Sequence, residues 1–130
     1  MPGMAFKILA DTSILIDLQR GEENTIRIFA KNQDLIRISR ITACEFIYGS
    51  TSRREKRINK DFLENLNLIE INGEISKFTY FLLDKYGLGM KFGISDALIA
   101  STAIIENCQL WTHNTRHFGK IKEIKLFKPQ

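Results

Sequence analysis

The stretch that decides the fold is Phe6-Lys7-Ile8-Leu9-Ala10-Asp11-Thr12-Ser13-Ile14-Leu15-Ile16-Asp17. Its first half is mostly apolar and of strand length, and it stops at Asp11, where two hydroxyl residues follow. Apolar residues return at Ile14, Ile16 and Leu18, which predicts a short helix over 14–18. A buried strand that passes directly into a helix is typical of a parallel sheet with helices on both faces.

Asp11 stands at the point where this strand ends. In an open parallel sheet, ligands bind beyond the carboxyl ends of the strands. Asp, Thr and Ser are also the residues that commonly cap the start of a helix. The position of Asp11 therefore fits a functional carboxylate and a plain capping residue equally well.

The composition is that of an ordinary globular protein, with 130 residues, 44% of them hydrophobic and 26% charged, and a net charge of +4. We expect a single domain over residues 1–130. No apolar run approaches the roughly 20 residues that cross a bilayer, and the N-terminus lacks the pattern of a signal peptide, so we expect a cytoplasmic protein without a membrane partner. Cys44 and Cys108 lie in apolar, helix-like surroundings and are expected to be buried thiols.

Helical and strand-like segments alternate along the rest of the chain. The pattern predicts helices over 22–31, 42–49, 52–65, 74–86 and from Ser95 to Ile105, and strands over 35–39, 68–71, 109–112 and 124–127. Such alternation indicates an α/β fold with a parallel sheet and helices on both faces.

Four polar residues come next to strand ends in this scheme: Asp11, Glu45, Asp96 and Asn114. Strand ends of one polarity share one edge of a parallel sheet, so these side chains can converge there. Two like charges 4 Å apart repel by about 4 kcal/mol at an effective dielectric of 20, and a cation would relieve that repulsion. Oxygen ligands in an open cluster suit Mg²⁺ or Mn²⁺.

Two of these carboxylates also have simpler interpretations. Glu45 completes the capping-box pattern Thr42-Ala43-Cys44-Glu45 at the start of a helix. Asp96 lies in the first turn of the most apolar helix, where the helix dipole favours an acid.

Four segments in order resemble the motifs of the PIN domain family, and most closely those of VapC toxins from toxin–antitoxin pairs. They are Ile8–Ile16, Ile41–Gly49, Ile94–Ala100 and Leu110–Phe118. The resemblance spans nearly the whole chain. It implies a three-layer α/β/α PIN-like fold with a central parallel sheet of four to five strands in the order 3-2-1-4-5.

The same resemblance implies Mg²⁺- or Mn²⁺-dependent endoribonuclease activity that leaves 5′-phosphate and 3′-hydroxyl ends. By motif match, Asp11, Glu45 and Asp96 are the metal-binding and catalytic carboxylates, and Asn114 occupies a fourth catalytic position where many members carry Asp. The hydroxyls of Ser13 and Thr12 are expected to support them. An antitoxin partner and a homodimer are also implied.

Basic residues are concentrated in 52–65, where Arg53, Arg54 and Arg57 stand close together. A run of this kind is a solvated helix face or, together with Arg116, a contact for RNA phosphates. His113 and His117 are four residues apart, but no further His or Cys completes a zinc site, so we expect them not to be metal ligands.

Other functions compete with the nuclease. A phosphoacceptor receiver domain needs paired acids after the first strand, where only Asp11 is found, and a haloacid-dehalogenase-type phosphatase needs Asp-x-Asp, where Ser13 stands third. The alternative that stays open is a catalytically weak PIN-like module that binds RNA or protein.

Overall fold

A parallel four-stranded sheet, with strand order β3-β2-β1-β4, forms the centre of the chain. The computed structural model describes residues 6–89, 91 and 93–129. The strands are β1 (Lys7–Ala10), β2 (Ile36–Ser39), β3 (Asn67–Ile69) and β4 (Cys108–Trp111). This is the predicted fold class and the predicted order of the first four strands.

Seven α-helices surround the sheet within the described residues, and a 3₁₀ turn (Gln33–Leu35) precedes β2. The helices are α1 (Thr12–Gln19), α2 (Glu23–Lys31), α3 (Arg40–Tyr48), α4 (Arg53–Glu64), α5 (Gly73–Tyr86), α6 (Ile94–Ile105) and α7 (Thr115–Phe118). No helix of the described chain is long and apolar enough to cross a membrane.

Two apolar layers hold the helices to the sheet, one on each face. Successive strand side chains point to opposite faces, so Ile8 and Ala10 of β1 join the layer packed by α1 to α4, while Leu9 joins the layer packed by α5 to α7. All three of these side chains are fully buried. The first strand is thus apolar throughout because both of its faces are covered.

Helix α3 starts earlier than the sequence pattern indicates. Ser39, not Thr42, is its cap, and the Ser39 hydroxyl accepts a hydrogen bond from the Thr42 amide at 3.1 Å. The predicted capping box of Thr42 and Glu45 is therefore wrong. Glu45 lies in the middle of the helix, and its carboxylate is available for a contact elsewhere.

Several other predicted elements differ in extent. The expected strand over 124–127 is a single parallel bridge between Leu126 and Leu110, β3 ends at Ile69, and the short helix α7 was not predicted. Cys44 lies on α3, as predicted, but it is exposed. Cys108 is buried, as predicted, but it lies at the start of β4 and not on a helix. Three glycines, Gly87, Gly89 and Gly93, punctuate the sequence between α5 and α6, where Met90 and Phe92 lie outside the described residues.

Candidate functional site

Asp11 lies at the carboxyl end of β1 and is only 4% exposed. Its backbone amide donates to the carbonyl of Trp111 at 3.0 Å, which extends the pairing of β1 with β4 by one residue. Its Oδ1 accepts from the Ser13 amide at 3.0 Å and from the Ser13 hydroxyl at 2.5 Å. Asp11 is therefore both a helix cap and a buried carboxylate, and the two interpretations of the sequence are compatible.

Burial raises the pKa of the Asp11 carboxyl above its ordinary value of 3.8, although the hydroxyls of Ser13 and Thr112 act to lower it. No lysine or arginine in the described ranges forms an ion pair with this carboxylate. A buried acid without a cationic partner is the kind of group that a metal ion or a proton would stabilise.

Glu45 of α3 is brought to the start of α1. Its Oε1 accepts a 2.8 Å hydrogen bond from the hydroxyl of Thr12, the residue that follows Asp11. The side chain is partly buried. The sequence prediction that the second acidic motif meets the first is supported by this contact.

Asp96, in the first turn of α6, faces His117 of α7. The distance from Asp96 Oδ2 to His117 Nε2 is 3.3 Å, and the His117 ring packs edge-on against the buried Phe118. His117 therefore lies beside one of the predicted carboxylates.

The turn after β4 carries residues that the sequence alone did not identify as part of the site. The amide of His113 donates to the Ser13 hydroxyl at 3.1 Å, and the amide of Asn114 donates to the Thr112 hydroxyl at 2.9 Å. Asn114 itself is exposed and precedes α7. The only sequence signal for Thr112 and His113 was their position at a strand end.

A match to a family model shows which family the chain belongs to. The model of the PIN domain matches residues 8–124, which is nearly the whole chain. The chain belongs to the PIN domain family.

Curated relatives of this PIN domain carry the name ribonuclease VapC. The chain is 36% identical over 121 residues to Ribonuclease VapC1 of Methanocaldococcus jannaschii, a match that covers 92% of this chain and 85% of that protein. It is 34% identical over 109 residues to Ribonuclease VapC2 of Rickettsia felis, with 79% and 80% covered.

Solved structures with the same fold include toxin–antitoxin complexes. A toxin–antitoxin complex from Klebsiella pneumoniae matches with a TM-score of 0.79 and 28% identity, over 95% of this chain and 98% of that chain. VapBC2 from Rickettsia felis, bound to a DNA fragment from its promoter, matches with a TM-score of 0.78 and 26% identity, over 94% and 98%.

The acids of this PIN domain do not form a closed metal cage. Within residues 6–89, 91 and 93–129, no group of three or more His, Cys, Asp or Glu side chains is close enough to hold an ion by itself. Direct contacts instead join Asp11 with Ser13, Glu45 with Thr12, and Asp96 with His117. The side-chain atoms of Asp11, Ser13, Glu45 and Thr12 that could bind a metal ion are all oxygen atoms.

The predicted RNA-binding arginines lie apart from these contacts. Arg53 and Arg57 are exposed on α4, where they line a small surface cleft together with Asp61 and Glu64. Arg54 is exposed on the same helix, and Arg116 is exposed on α7, one residue before His117. Of these four arginines, Arg116 is the one that is next in sequence to His117, which contacts the predicted site residue Asp96.

A groove of about 850 Å³ lies between α3, α4 and β3 of the PIN domain. Ala43, Ile47, Leu63 and Leu68 supply apolar lining, and the exposed side chains of Arg53, Lys56 and Lys60 supply positive charge. Glu45 points to α1 and does not line the groove, although the neighbouring Cys44 does.

Proposed function

We propose that this PIN domain is an endoribonuclease that hydrolyses RNA phosphodiester bonds with the help of Mg²⁺ or Mn²⁺, and that it is the toxin of a VapBC-type pair. The observation that carries the proposal is the buried Asp11 at the end of β1, followed at once by Thr12, whose hydroxyl holds Glu45. The identity with proteins named ribonuclease VapC supports the same chemistry.

The donor set fits a hydrated divalent ion. Mg²⁺ keeps several waters and is usually bound through one or two carboxylates together with substrate phosphates, so it needs no preformed cage. Asp11, Glu45 and Asp96 would hold it. When bound, such an ion lowers the pKa of a water molecule and offsets the negative charge of the phosphate.

The protein's own side chains fix the carboxylates that this reaction requires. Ser13 holds one oxygen of Asp11, Thr12 holds one oxygen of Glu45, and His117 lies against one oxygen of Asp96. The hydroxyl of Thr112 is a further hydrogen-bond partner of the Asp11 carboxylate. In the overall reaction, water adds to phosphorus and the bond to the 3′-oxygen breaks, which leaves 5′-phosphate and 3′-hydroxyl ends.

Asn114 takes the fourth catalytic position in this proposal. It is neutral, so it adds a hydrogen-bonding amide without adding to the negative charge beside the RNA phosphate. Arg116 follows on α7 and, with Arg53, Arg54 and Arg57 on α4, supplies positive charge for the RNA backbone.

An antitoxin is the proposed partner of the groove between α3 and α4. The solved toxin–antitoxin complexes with this fold support the partner, and the groove indicates its chemistry. Apolar residues of a bound helix would meet Ile47 and Leu63, and carboxylates along its flank would meet Lys56 and Lys60.

A second copy of the chain is the proposed cover for α5. Tyr80 and Phe81 are 78% and 44% exposed on that helix, whereas Phe78 packs against the core. Large exposed aromatic side chains on one helix are typical of an interface. Sedimentation of the purified chain, compared with a Tyr80→Lys variant, tests the homodimer.

The test of the nuclease is an RNA-cleavage assay with the purified chain. Cleavage should need Mg²⁺ or Mn²⁺, stop on addition of EDTA, and be lost in Asp11→Asn and in Asp96→Asn, while Glu70→Gln on the surface should cleave normally. RNA that binds but stays intact with both metals would favour the alternative, a catalytically weak binding module. The observation that favours a weak binding module is the absence of a preformed three-acid cage among the described residues.

A further inference from the structure

His113 contacts α1 at two points that lie one helical turn apart. Its backbone amide donates to the Ser13 hydroxyl at 3.1 Å, and its ring Nε2 lies 2.6 Å from Oδ2 of Asp17. Residues at i and i+4 of a helix share one face. Ser13 can therefore bind the main chain of His113 while Asp17 binds its side chain.

The main-chain contact sets the direction of the Ser13 hydroxyl. A hydroxyl has one hydrogen to donate. Because the oxygen of Ser13 accepts from the His113 amide, its hydrogen is directed to Oδ1 of Asp11, 2.5 Å away. The His113 amide thereby selects the orientation in which Ser13 supports the carboxylate.

The side-chain contact is anchored from a second helix. Oδ2 of Asp17 also accepts from the hydroxyl of Thr25 of α2 at 2.7 Å, and Thr25 is buried. Partial burial acts to raise the pKa of Asp17, but the hydrogen bonds from Thr25 and His113 outweigh it and the pKa is lowered. An ionised carboxylate only accepts, so the proton of this contact belongs to Nε2 of His113.

From this chain of contacts we propose that the His113–Asp17 pair is a clamp that positions Ser13, and through it Asp11, for the reaction. The effect of the clamp on catalysis rests on the proposed nuclease function, but the contacts that form the clamp do not depend on it. His113 is a positioning residue in this scheme: it acts through Ser13 and does not contact the reacting groups.

The His113–Asp17 pair lies at the surface, so its effect on the position of Ser13 can be measured apart from any effect on the stability of the fold. The side chain of His113 is 53% exposed, and even a fully charged pair at such an exposed position adds little to the stability of a fold. Removing the ring should therefore leave the protein folded. The link from residue 113 to α1, however, would then consist of a single main-chain bond.

The experiment compares His113→Ala, His113→Gln and the control Lys85→Ala. Lys85 belongs to a half-exposed side-chain pair elsewhere, in which α5 meets Glu123 of the segment after α7. The side-chain amide that His113→Gln introduces can replace the Nε2–H donor. The readouts are kcat and KM for RNA cleavage, and the hydrogen-exchange rate of the residue 113 amide in the metal-free protein.

We expect His113→Ala to lower kcat roughly tenfold with little change in KM, because a misplaced carboxylate slows the reaction more than it weakens binding. Its residue 113 amide should exchange roughly tenfold faster, since the bond to Ser13 opens more often. His113→Gln should restore both values, and Lys85→Ala should change neither.

Unchanged exchange and unchanged kcat in His113→Ala would overturn the clamp, and so would a Gln variant as impaired as the Ala variant. If the unmodified chain cleaves no RNA with either metal, the nuclease proposal fails instead. In that case the clamp is still tested by the exchange rates and by the affinity of the metal-free chain for Mn²⁺. That affinity should fall in His113→Ala and stay unchanged in His113→Gln and Lys85→Ala.

Discussion

The hydroxyl of Thr12 donates a 2.8 Å hydrogen bond to Oε1 of Glu45 across 33 residues of sequence. Thr12 begins α1, with only Asp11 between it and β1, and Glu45 lies on α3, which follows β2. The two strands are neighbours in the sheet. The contact therefore joins the two acidic motifs at the edge where the parallel strands end.

Thr12→Val removes this donor with little change in shape. A hydrogen bond to a charged group contributes on the order of 1.5–3 kcal/mol, so RNA cleavage at limiting metal should fall roughly tenfold or more, with a higher metal concentration at half-maximal rate. Thr12→Ser keeps the hydroxyl and should cleave as the unmodified chain does. Equal initial rates for the Val and Ser variants would show that the contact does not set the position of Glu45.

Asp11→Asn should make the metal-free protein more stable at neutral pH. Burial raises the pKa of Asp11, so the folded state holds a proton more tightly than the unfolded chain does. The stability from this group is complete below the ordinary value of 3.8 and is lost as pH rises through the raised pKa. Asn avoids that loss, and its single oxygen can still accept both bonds from Ser13.

The measurement is the melting temperature of both proteins in EDTA between pH 3 and pH 8. The variant should gain on the order of a few degrees at pH 7, and the gain should shrink as the pH falls toward 4. Asp96→Asn serves for comparison, since the Asp96 side chain is 38% exposed and should give a smaller change. A gain that is independent of pH would point to a packing effect.

Ser39→Ala should destabilise the fold through the cap of α3. The Ser39 hydroxyl accepts from the amide of Thr42 and lies 3.0 Å from the Thr42 hydroxyl, and both residues are fully buried. Loss of a capping serine costs about 1 kcal/mol, and the buried Thr42 amide would lose its partner. Ser52→Ala, at the exposed cap of α4, is the matched control. Urea unfolding should show the larger loss for Ser39→Ala, and equal losses would contradict the prediction.

The type and order of the main elements could be predicted because local patterns determine them. The apolar run of β1 and the buried helix α6 each need cover on most sides, which only a layered α/β fold provides. Element ends were less predictable. Ser39 and Thr42 are both good capping residues, and only the pairing of β2 with β3 through Ser39 shows where the strand stops.

The candidate site was predictable to the extent that it follows strand ends. Asp11 and Glu45 could be expected to approach each other because β1 and β2 run in parallel and end at one edge. The contact of His113 with Asp17 spans 96 residues and has no local signature, so it required the structure. Residues 124–127 have a strand-like sequence, but their pairing with β4 is one bridge, in which Lys125 and Phe127 on either side of Leu126 hydrogen-bond to Leu110.

The two thiols offer a test of the proposed antitoxin groove. Cys44 is exposed and lines the groove, whereas Cys108 is buried at the start of β4, and burial raises the pKa of its thiol. Thiolate is the reactive form. In the native protein at pH 8, iodoacetamide should therefore modify Cys44 and leave Cys108 intact until the chain is unfolded, as mass spectrometry of the peptides can show.

A bound antitoxin helix should protect Cys44, since the occupant of the groove would cover α3 and α4. Lys56→Glu should weaken that protection, because it places a negative charge against the carboxylates expected on the helix, while Lys85→Glu outside the groove should not. For this experiment, the product of the reading frame next to the gene is tested as the antitoxin and is added in purified form. If Cys44 reacts as fast in the complex as in the free chain, the antitoxin binds to another face, and the groove between α3 and α4 has a different role.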